Sequence, residues 1–354
     1  MADITMQNVT KRFGTVTAVD QISLSISDGE FFVLLGPSGA GKTTTLRLIA
    51  GLEKQDSGTV LFNGESVDTL APPERDIAFV FQQYSLYPTM SVYDNMAFPL
   101  RSPLRRMPEP EIKRRIEDVA EKLRIGHLLA RKTARLSGGE MQRVSIGRAI
   151  VRDPQIFLMD EPLSNLDAKL RESLRIELEH IQKTRRSTTL YVTHDQIEAL
   201  TMADRIAVLD RGYVVQIGTP HDIYDRPATT FVAQLVGTPR INLFDASRSD
   251  GALHITGSTI SLPLPVSRTA FPAALKLGVR PEDVAIRADG PFAGVVALVE
   301  PLGAETVMHI QSGERTLTST VPGIASRPIG SNVQFDIVRE RLHYFAADGA
   351  RVAN

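Results

Sequence analysis

Residues 36 to 43 read GPSGAGKT, a G-x-x-x-x-G-K-[ST] pattern set between the apolar run Phe31-Phe32-Val33-Leu34-Leu35 and the helix-like TTLRLIAG. A polyphosphate must be wrapped closely by backbone N–H groups, and Gly36, Gly39 and Gly41 leave room for that approach, with Ser38 in the same loop. Lys42 adds a compact positive charge, Thr43 a hydroxyl suited to Mg²⁺, and Thr44 a further phosphate contact. A helix starting here directs about half a positive charge at the same anion. The strand, loop and helix that this motif requires all occur in order, so the segment predicts a nucleoside triphosphate site rather than a chance glycine-rich turn.

Three further segments bear on the use of that nucleotide. Ile156-Phe157-Leu158-Met159 reads as a buried strand ending in Asp160-Glu161, and open α/β sheets place their ligands at such carboxyl ends. Asp160 suits a metal shell, and Glu161 suits orientation and deprotonation of a water. Taken alone, the pair is equally an acidic strand end before a proline turn. Leu136-Ser137-Gly138-Gly139-Glu140 leads into MQRVSIGRAI and reads as a second helix start able to receive an anion through Ser137 and bare N–H groups. Leu190-Tyr191-Val192-Thr193 is another buried strand, ending at His194-Asp195. A lone histidine is more often structural; the position of His194, after a strand in line with the other motifs, favours a role in the chemistry.

These segments together resemble the ATP-binding subunits of ABC transporters, specifically importer subunits serving carbohydrates and glycerol-phosphate-like solutes. The likeness covers essentially the whole chain: GPSGAGKTT, FVFQQYSLYP with Gln82, LSGGE, FLMDEP, SNLD at Ser164 to Asp167, and VTHD with His194. It implies ATP and Mg²⁺ as ligands. Lys42, Glu161, His194 and Gln82 are then the catalytic residues, with Thr43, Gln82 and Asp160 near the metal. Phe13, in VTKRFG, would stack on adenine, or else be a partly buried turn residue. The resemblance also implies a homodimer in which Ser137, Gly138 and Gly139 of one copy meet the nucleotide of the other. Two membrane permease subunits would contact the stretch Gln83 to Pro88, and an extracytoplasmic solute-binding protein would act through them. The expected place is the cytoplasmic face of the cell membrane.

Glu140 departs from the family pattern, which has Gln there, and is expected to point away from the nucleotide because a carboxylate near a γ-phosphate is unfavourable. Importers of polyamines, metal ions or sulfate are the alternative within transport. A soluble ABC ATPase would bring a coiled coil or two cassettes, and a non-hydrolysing module would lack Glu161 or His194.

The elements that must position these residues follow from periodicity. ITMQNV and the alternation of Ile22, Leu24 and Ile26 predict antiparallel β structure beside the nucleotide core, and Asn63-Gly64 a hairpin turn. From about 88 to 151 the spacing of Ile112, Ile116, Val119 and Leu123 is helical, predicting an inserted helical subdomain. The core resumes with the strand at 156–160, a helix through Leu170, Leu174, Leu178 and Ile181, and strands near 189–193 and 205–209. Beyond residue 235, period-2 segments such as ALKLGV, GVVALV and NVQFDIV predict an all-β domain. The fold class is therefore α/β, a P-loop NTPase core over 1–235 with antiparallel β and helical subdomains. An all-β domain over 236–354 follows, OB-like by resemblance, on which a regulatory protein is left open.

Composition agrees. The chain has 354 residues, room for about two domains. Its net charge of −1 with interspersed signs makes no electrostatic case for nucleic acid. Arg101, Arg105, Arg106, Lys113, Arg114 and Arg115 are expected to form a solvated helix face, with a partner contact as the lesser alternative. There are no cysteines, which suits a reducing compartment. No secretory signal is expected in MADITMQNVTKRFG, and no run approaches ~18 apolar residues.

Overall fold

Long strands that are apolar on both faces are stable only inside a sheet covered on both sides. In the computed structural model, which describes residues 2–103, 106–264, 272 and 274–352, such strands form the middle of one sheet. The chain opens with β1 (Ile4–Phe13), β2 (Val16–Ile26), β3 (Phe31–Leu35), α1 (Lys42–Ala50), β4 (Ser57–Phe62), β5 (Glu65–Ser66) and β6 (Ile77–Val80). The helical stretch contains α2 (Val92–Ala97), α3 (Glu109–Lys122) and α4 (Gly138–Ile150). Then come β7 (Ile156–Asp160), α5 (Ala168–Arg185), β8 (Thr188–Thr193), α6 (Gln196–Met202), β9 (Arg205–Asp210) and β10 (Tyr213–Gly218).

The central sheet is six-stranded in the order β10-β9-β3-β8-β7-β6. From β9 to β6 it is parallel, and only β10 runs antiparallel to its neighbour. Every residue of β3, β7 and β8 is buried. Register aligns the strand ends: Leu35 pairs with Thr193, Asp160 with Val192 and Val80 with Met159. The segments that follow these strands therefore emerge side by side on one edge. A second, four-stranded antiparallel sheet, β2-β1-β4-β5, shares a core with the central sheet and α1 through Ile4, Met6, Ile22, Leu34, Leu46 and Val60.

In the helical stretch α4 packs on α2, α3 and β6. Asn95, fully buried, accepts from the Tyr87 N–H at 2.9 Å and donates to the carbonyls of Tyr87 and Ser91 at 3.0 Å each. Ser145 and Arg148 of α4 bond the carbonyls of Tyr84 and Ser85 at 2.9 and 2.7 Å, so the loop after β6 is tied to α4. The expected basic helix face is corrected in part. Lys113, Arg114 and Arg115 lie on α3, but Arg101 precedes it and is bound to Asp94 and Glu109 at 3.2 and 2.6 Å; Arg106 also precedes it, and Arg105 lies outside the described residues.

The chain divides into two compact units, Met1–Pro220 and His221–Asn354, so the division falls before residue 235. The physical reason lies in α7 (Pro220–Asp225) and α8 (Thr230–Leu235). The buried guanidinium of Arg280 donates to the carbonyls of Tyr224, Ala233 and Val236 and sits 4.0 Å from the Tyr224 ring, which holds this helical lead-in against the second unit's own strands.

The rest of the second unit comprises β11 (Asn242–Ser249), β12 (Ala252–Ile255), β13 (Ser261–Pro263), β14 (Ala274–Val279), β15 (Val284–Ile286), β16 (Phe292–Pro301), β17 (Glu305–Ser312), β18 (Arg315–Pro322), β19 (Asn332–Ile337) and β20 (His343–Phe345). They make two five-stranded antiparallel sheets, β13-β12-β11-β14-β20 and β15-β19-β16-β17-β18, around one apolar core that includes Leu277, Val296, Ile310 and Phe335. The predicted all-β character is met.

Candidate functional site

The turn after β3 enters α1 through Gly41, whose φ of +99° lies in the left-handed region, and a Cβ there would stand 2.4 Å from the Ala18 carbonyl oxygen. No side chain caps α1, whereas Ser137, Asp167 and Asp195 cap α4, α5 and α6. Helix geometry leaves the first N–H groups of α1 without intrahelical partners, so they are available to an anion. They border a cleft of about 590 Å³ lined by Val16, Thr17, Ala18, Ser38, Gly39, Ala40, Gly41, Lys42, Thr43, Thr44, Gln82, Glu161 and Arg211.

Lys42 is buried, and its Nζ donates to the carbonyls of Gly36 and Pro37 at 2.8 and 3.0 Å. Burial pulls its pKa down, opposed by the nearby charges of Glu161 and Asp160. Thr43 donates through Oγ1 to Asp160 Oδ1 at 2.9 Å. Burial raises the Asp160 pKa; the Thr43 bond lowers it and the adjacent Glu161 raises it further. A cation beside Asp160 would relieve that cost. Among the described residues no group of three or more His, Cys, Asp or Glu could hold a metal alone. This donor set fits Mg²⁺, which takes one or two protein oxygens with the rest of its shell from phosphate and water.

Glu161 stands just past the end of β7 at φ 44°, a left-handed conformation that costs a non-glycine residue about 1–3 kcal/mol. The turn is held by its N–H donating to the Val192 carbonyl at 3.0 Å. Its carboxylate lies between two partners: Oε1 is 3.6 Å from Lys42 Nζ, and Oε2 is 3.0 Å from His194 Nδ1. Gln82 Nε2 lies 3.4 Å from Ser164 Oγ, which in turn donates to the Glu161 carbonyl at 2.9 Å. Lys42 and His194, far apart in the chain, thus meet at one carboxylate beside the phosphate loop, and Gln82 reaches the backbone of the same turn through Ser164.

Four expected residues stand apart from the cleft. Phe13 is 47% exposed at the end of β1 and is not among the cleft-lining residues; Lys11 Nζ lies 5.0 Å from its ring. Ser137, Gly138 and Gly139 also do not line the cleft. They begin α4, where a Cβ on Gly139 would meet Leu170 Cδ2 at 2.0 Å, so glycine lets α4 and α5 approach. The expectation for Glu140 is corrected. Its carboxylate turns back on the helix start: Oε2 accepts from the Ser137 N–H at 2.7 Å and Oγ–H at 2.9 Å, completing a capping box, with Arg131 3.8 Å from Oε1. An S-x-x-E pattern carries that signal. Sequence reasoning also missed Val16, Thr17, Ala18 and Arg211 in the cleft wall, because nothing in their types marks them; strand pairing and the turn after β9 bring them there.

The site is that of a P-loop ATPase with strand-end carboxylate and histidine. A family model described as ABC transporter matches residues 19–164, and one described as TOBE domain matches 277–345. The sn-glycerol-3-phosphate import ATP-binding protein UgpC of Psychromonas ingrahamii is 46% identical, covering 99% of this chain and 95% of that one. The trehalose/maltose import ATP-binding protein MalK of Thermococcus litoralis is 45% identical, covering 98% of each. Among solved structures, the dimeric bacterial ABC transporter cassette MJ0796 superposes with a TM-score of 0.57 at 31% identity, covering 61% of this chain and 98% of that one. Its post-hydrolysis state bound to ADP and Pi gives a TM-score of 0.55 over the same shares. The chain belongs to the ATP-binding subunits of ABC transporters, those that carry a TOBE domain.

Proposed function

We propose that this chain hydrolyses ATP to energise import of a sugar, sugar derivative or glycerol-phosphate compound through an ABC transporter. The observation that carries the reading is the Glu161 carboxylate between Lys42 and His194, beside a phosphate loop whose helix is uncapped. The names of whole-chain relatives, glycerol-3-phosphate and trehalose/maltose importers, support the cargo class.

Two copies face each other head to tail. Phosphates sit on the N–H groups of Gly39 to Thr44 with Lys42 beside them, and Ser137, Gly138 and Gly139 of the other copy close over the γ-phosphate. Glu161 takes the proton of the attacking water, the bond from γ-phosphorus to the bridging oxygen breaks, and ADP and phosphate remain. His194 and Gln82 hold the water and γ-phosphate in line. Thr43, Asp160 and Gln82 would hold Mg²⁺, which supplies charge neutralisation at the phosphates. Loss of the γ-phosphate removes the bridge between copies, and the pair reopens. Phe13 flanks the adenine.

Two integral membrane subunits dock on each pair. A groove of about 360 Å³ lined by Leu52, Pro72, Phe79, Phe81, Phe98 and Pro99 supports this, and a neighbouring hollow lined by Ser85 and Tyr87 continues it to the stretch Gln83 to Pro88. In this reading the chain sits at the cytoplasmic face through those subunits; among the described residues no helix is long and apolar enough to cross a membrane. A solute-binding protein acts on them from outside, and the second unit is where a regulatory protein would bind.

Glu161→Gln tests the reading. Bound ATP should be retained while turnover falls at least ~10²-fold, the scale of general-base catalysis. Near-parental hydrolysis by the folded variant would overturn it.

A further inference from the structure

Arg171, in the first turn of α5, joins the two segments that carry Glu161 and His194. Its Nη2 donates to the carbonyls of Leu166 and Ser164 at 3.2 and 3.5 Å, in the turn that follows Glu161. Its Nη1 lies 3.3 Å from Asp195 Oδ2. Asp195 adjoins His194, and its other oxygen, Oδ1, caps α6 by accepting from the N–H groups of Ile197 and Glu198 at 2.8 and 3.3 Å.

The turn is anchored on its other side as well. The Asp195 N–H donates to Thr193 Oγ1 at 2.9 Å, and that hydroxyl donates to Glu198 Oε2 at 2.6 Å. Glu198 is buried and also accepts from the fully buried Tyr191 hydroxyl at 3.0 Å. The residues on either side of His194 are therefore fixed, one to the interior of β8 and one to Arg171. On the facing segment Ser164 is bonded to the Glu161 carbonyl, and Asn165 Nδ2 donates to the Gln82 carbonyl at 3.3 Å.

We propose that Arg171 is a positioning residue for ATP hydrolysis, setting the distance between Glu161 and His194 by clamping the Ser164–Leu166 carbonyls to Asp195. A displacement of segment 164–167 is thereby passed to the His194 turn. The inference rests on the catalytic reading of Glu161 and His194. Misplacement of reacting groups by about 1 Å costs up to 10²-fold in rate, so the clamp acts on turnover rather than on binding.

The test is steady-state hydrolysis by the full-length chain carrying Arg171→Met, Arg171→Lys, Asp195→Asn, and the first and third together. Asparagine still caps α6. Arg171→Met should lower kcat about tenfold with the KM for ATP within about twofold, as expected for loss of a contact that acts in the transition state. Arg171→Lys should recover part of the loss, because a cation again faces Asp195. The double variant should be no slower than the slower single one, since both remove one contact. An unchanged kcat in Arg171→Met, multiplicative losses in the double variant, or a loss of kcat that follows a fall in the thermal midpoint would each overturn the proposal. Glu161→Gln measured in parallel separates the two claims: parental hydrolysis there sinks the catalytic reading, while the coupling between Arg171 and Asp195 is read from the double variant.

Discussion

The helices beginning at Lys42 and at Gly138 both have glycine at their start, Gly41 just before α1 and Gly138 and Gly139 opening α4, and both present a positive end, yet their first turns are finished differently. In α1 no side chain bonds to the start, and the free N–H groups border the cleft. In α4 Ser137 and Glu140 bond each other's groups, so an anion arriving there must displace a carboxylate already in place. An uncapped start gives up local helix stability, about 0.5–2 kcal/mol, to keep donors for a ligand. A start closed by its own side chains is stable alone and becomes a binding surface only when a partner competes successfully. Under the proposed function the chain would thus have one site ready for nucleotide and one that opens on association.

The largest effects should separate the two starts. Lys42→Ala removes a charge-assisted contact at α1 and should weaken ATP binding by about tenfold to 10²-fold, with hydrolysis falling too. Ser137→Arg should leave ATP binding by the single chain unchanged. Combined with Glu161→Gln, it should abolish the ATP-dependent dimer that Glu161→Gln alone forms. Light scattering after size exclusion, with and without ATP, reads this; an ATP-dependent dimer in the double variant would place α4 outside the shared site.

A smaller effect is expected at Glu140. Glu140→Gln keeps the capping geometry and removes the charge that opposes phosphate, so in a Glu161→Gln background the ATP-bound dimer should tighten by about three- to tenfold. Equal dimer dissociation constants would show that the carboxylate does not compete.

The smallest effect is on folding. Bonds from the Ser137 N–H and hydroxyl hold the Glu140 pKa below its ordinary 4.5. A depressed folded value means that this stabilisation is present above 4.5 and is lost as pH falls through the folded value, since the unfolded chain binds the proton first. Denaturation of parent and Glu140→Gln from about pH 6 to about pH 3 should show the parent's advantage shrinking with acid. A constant difference would mean that Glu140 is not bonded in its charged form.

Much of the candidate site was legible because its chemistry is local. The phosphate loop needs glycines, a lysine and a hydroxyl within eight consecutive positions, and the apolar run before it needs a sheet; both can be read without a partner. Asp160-Glu161 and His194 were legible only as strand ends. The reach of Glu140 back to Ser137 was readable from S-x-x-E spacing, but weighing its charge against phosphate pointed the other way. The division at residue 220 was hidden because α7 and α8 look like any short helices until Arg280, far along the chain, is seen to bind their carbonyls.

The amino-acid order by itself determined the local elements and the inventory of reactive groups, since backbone propensity, period and loop chemistry act over a few residues. Only the tertiary structure decided which of those groups meet. The strand order β3-β8-β7-β6 takes segments near residues 35, 193, 160 and 80 and sets their ends along one edge, an arrangement that no pairwise spacing in the chain encodes. It arises because parallel strands, buried on both faces, choose neighbours by packing and crossover geometry. The same packing places Arg171 between Leu166 and Asp195, a contact made where the start of α5 meets the start of α6.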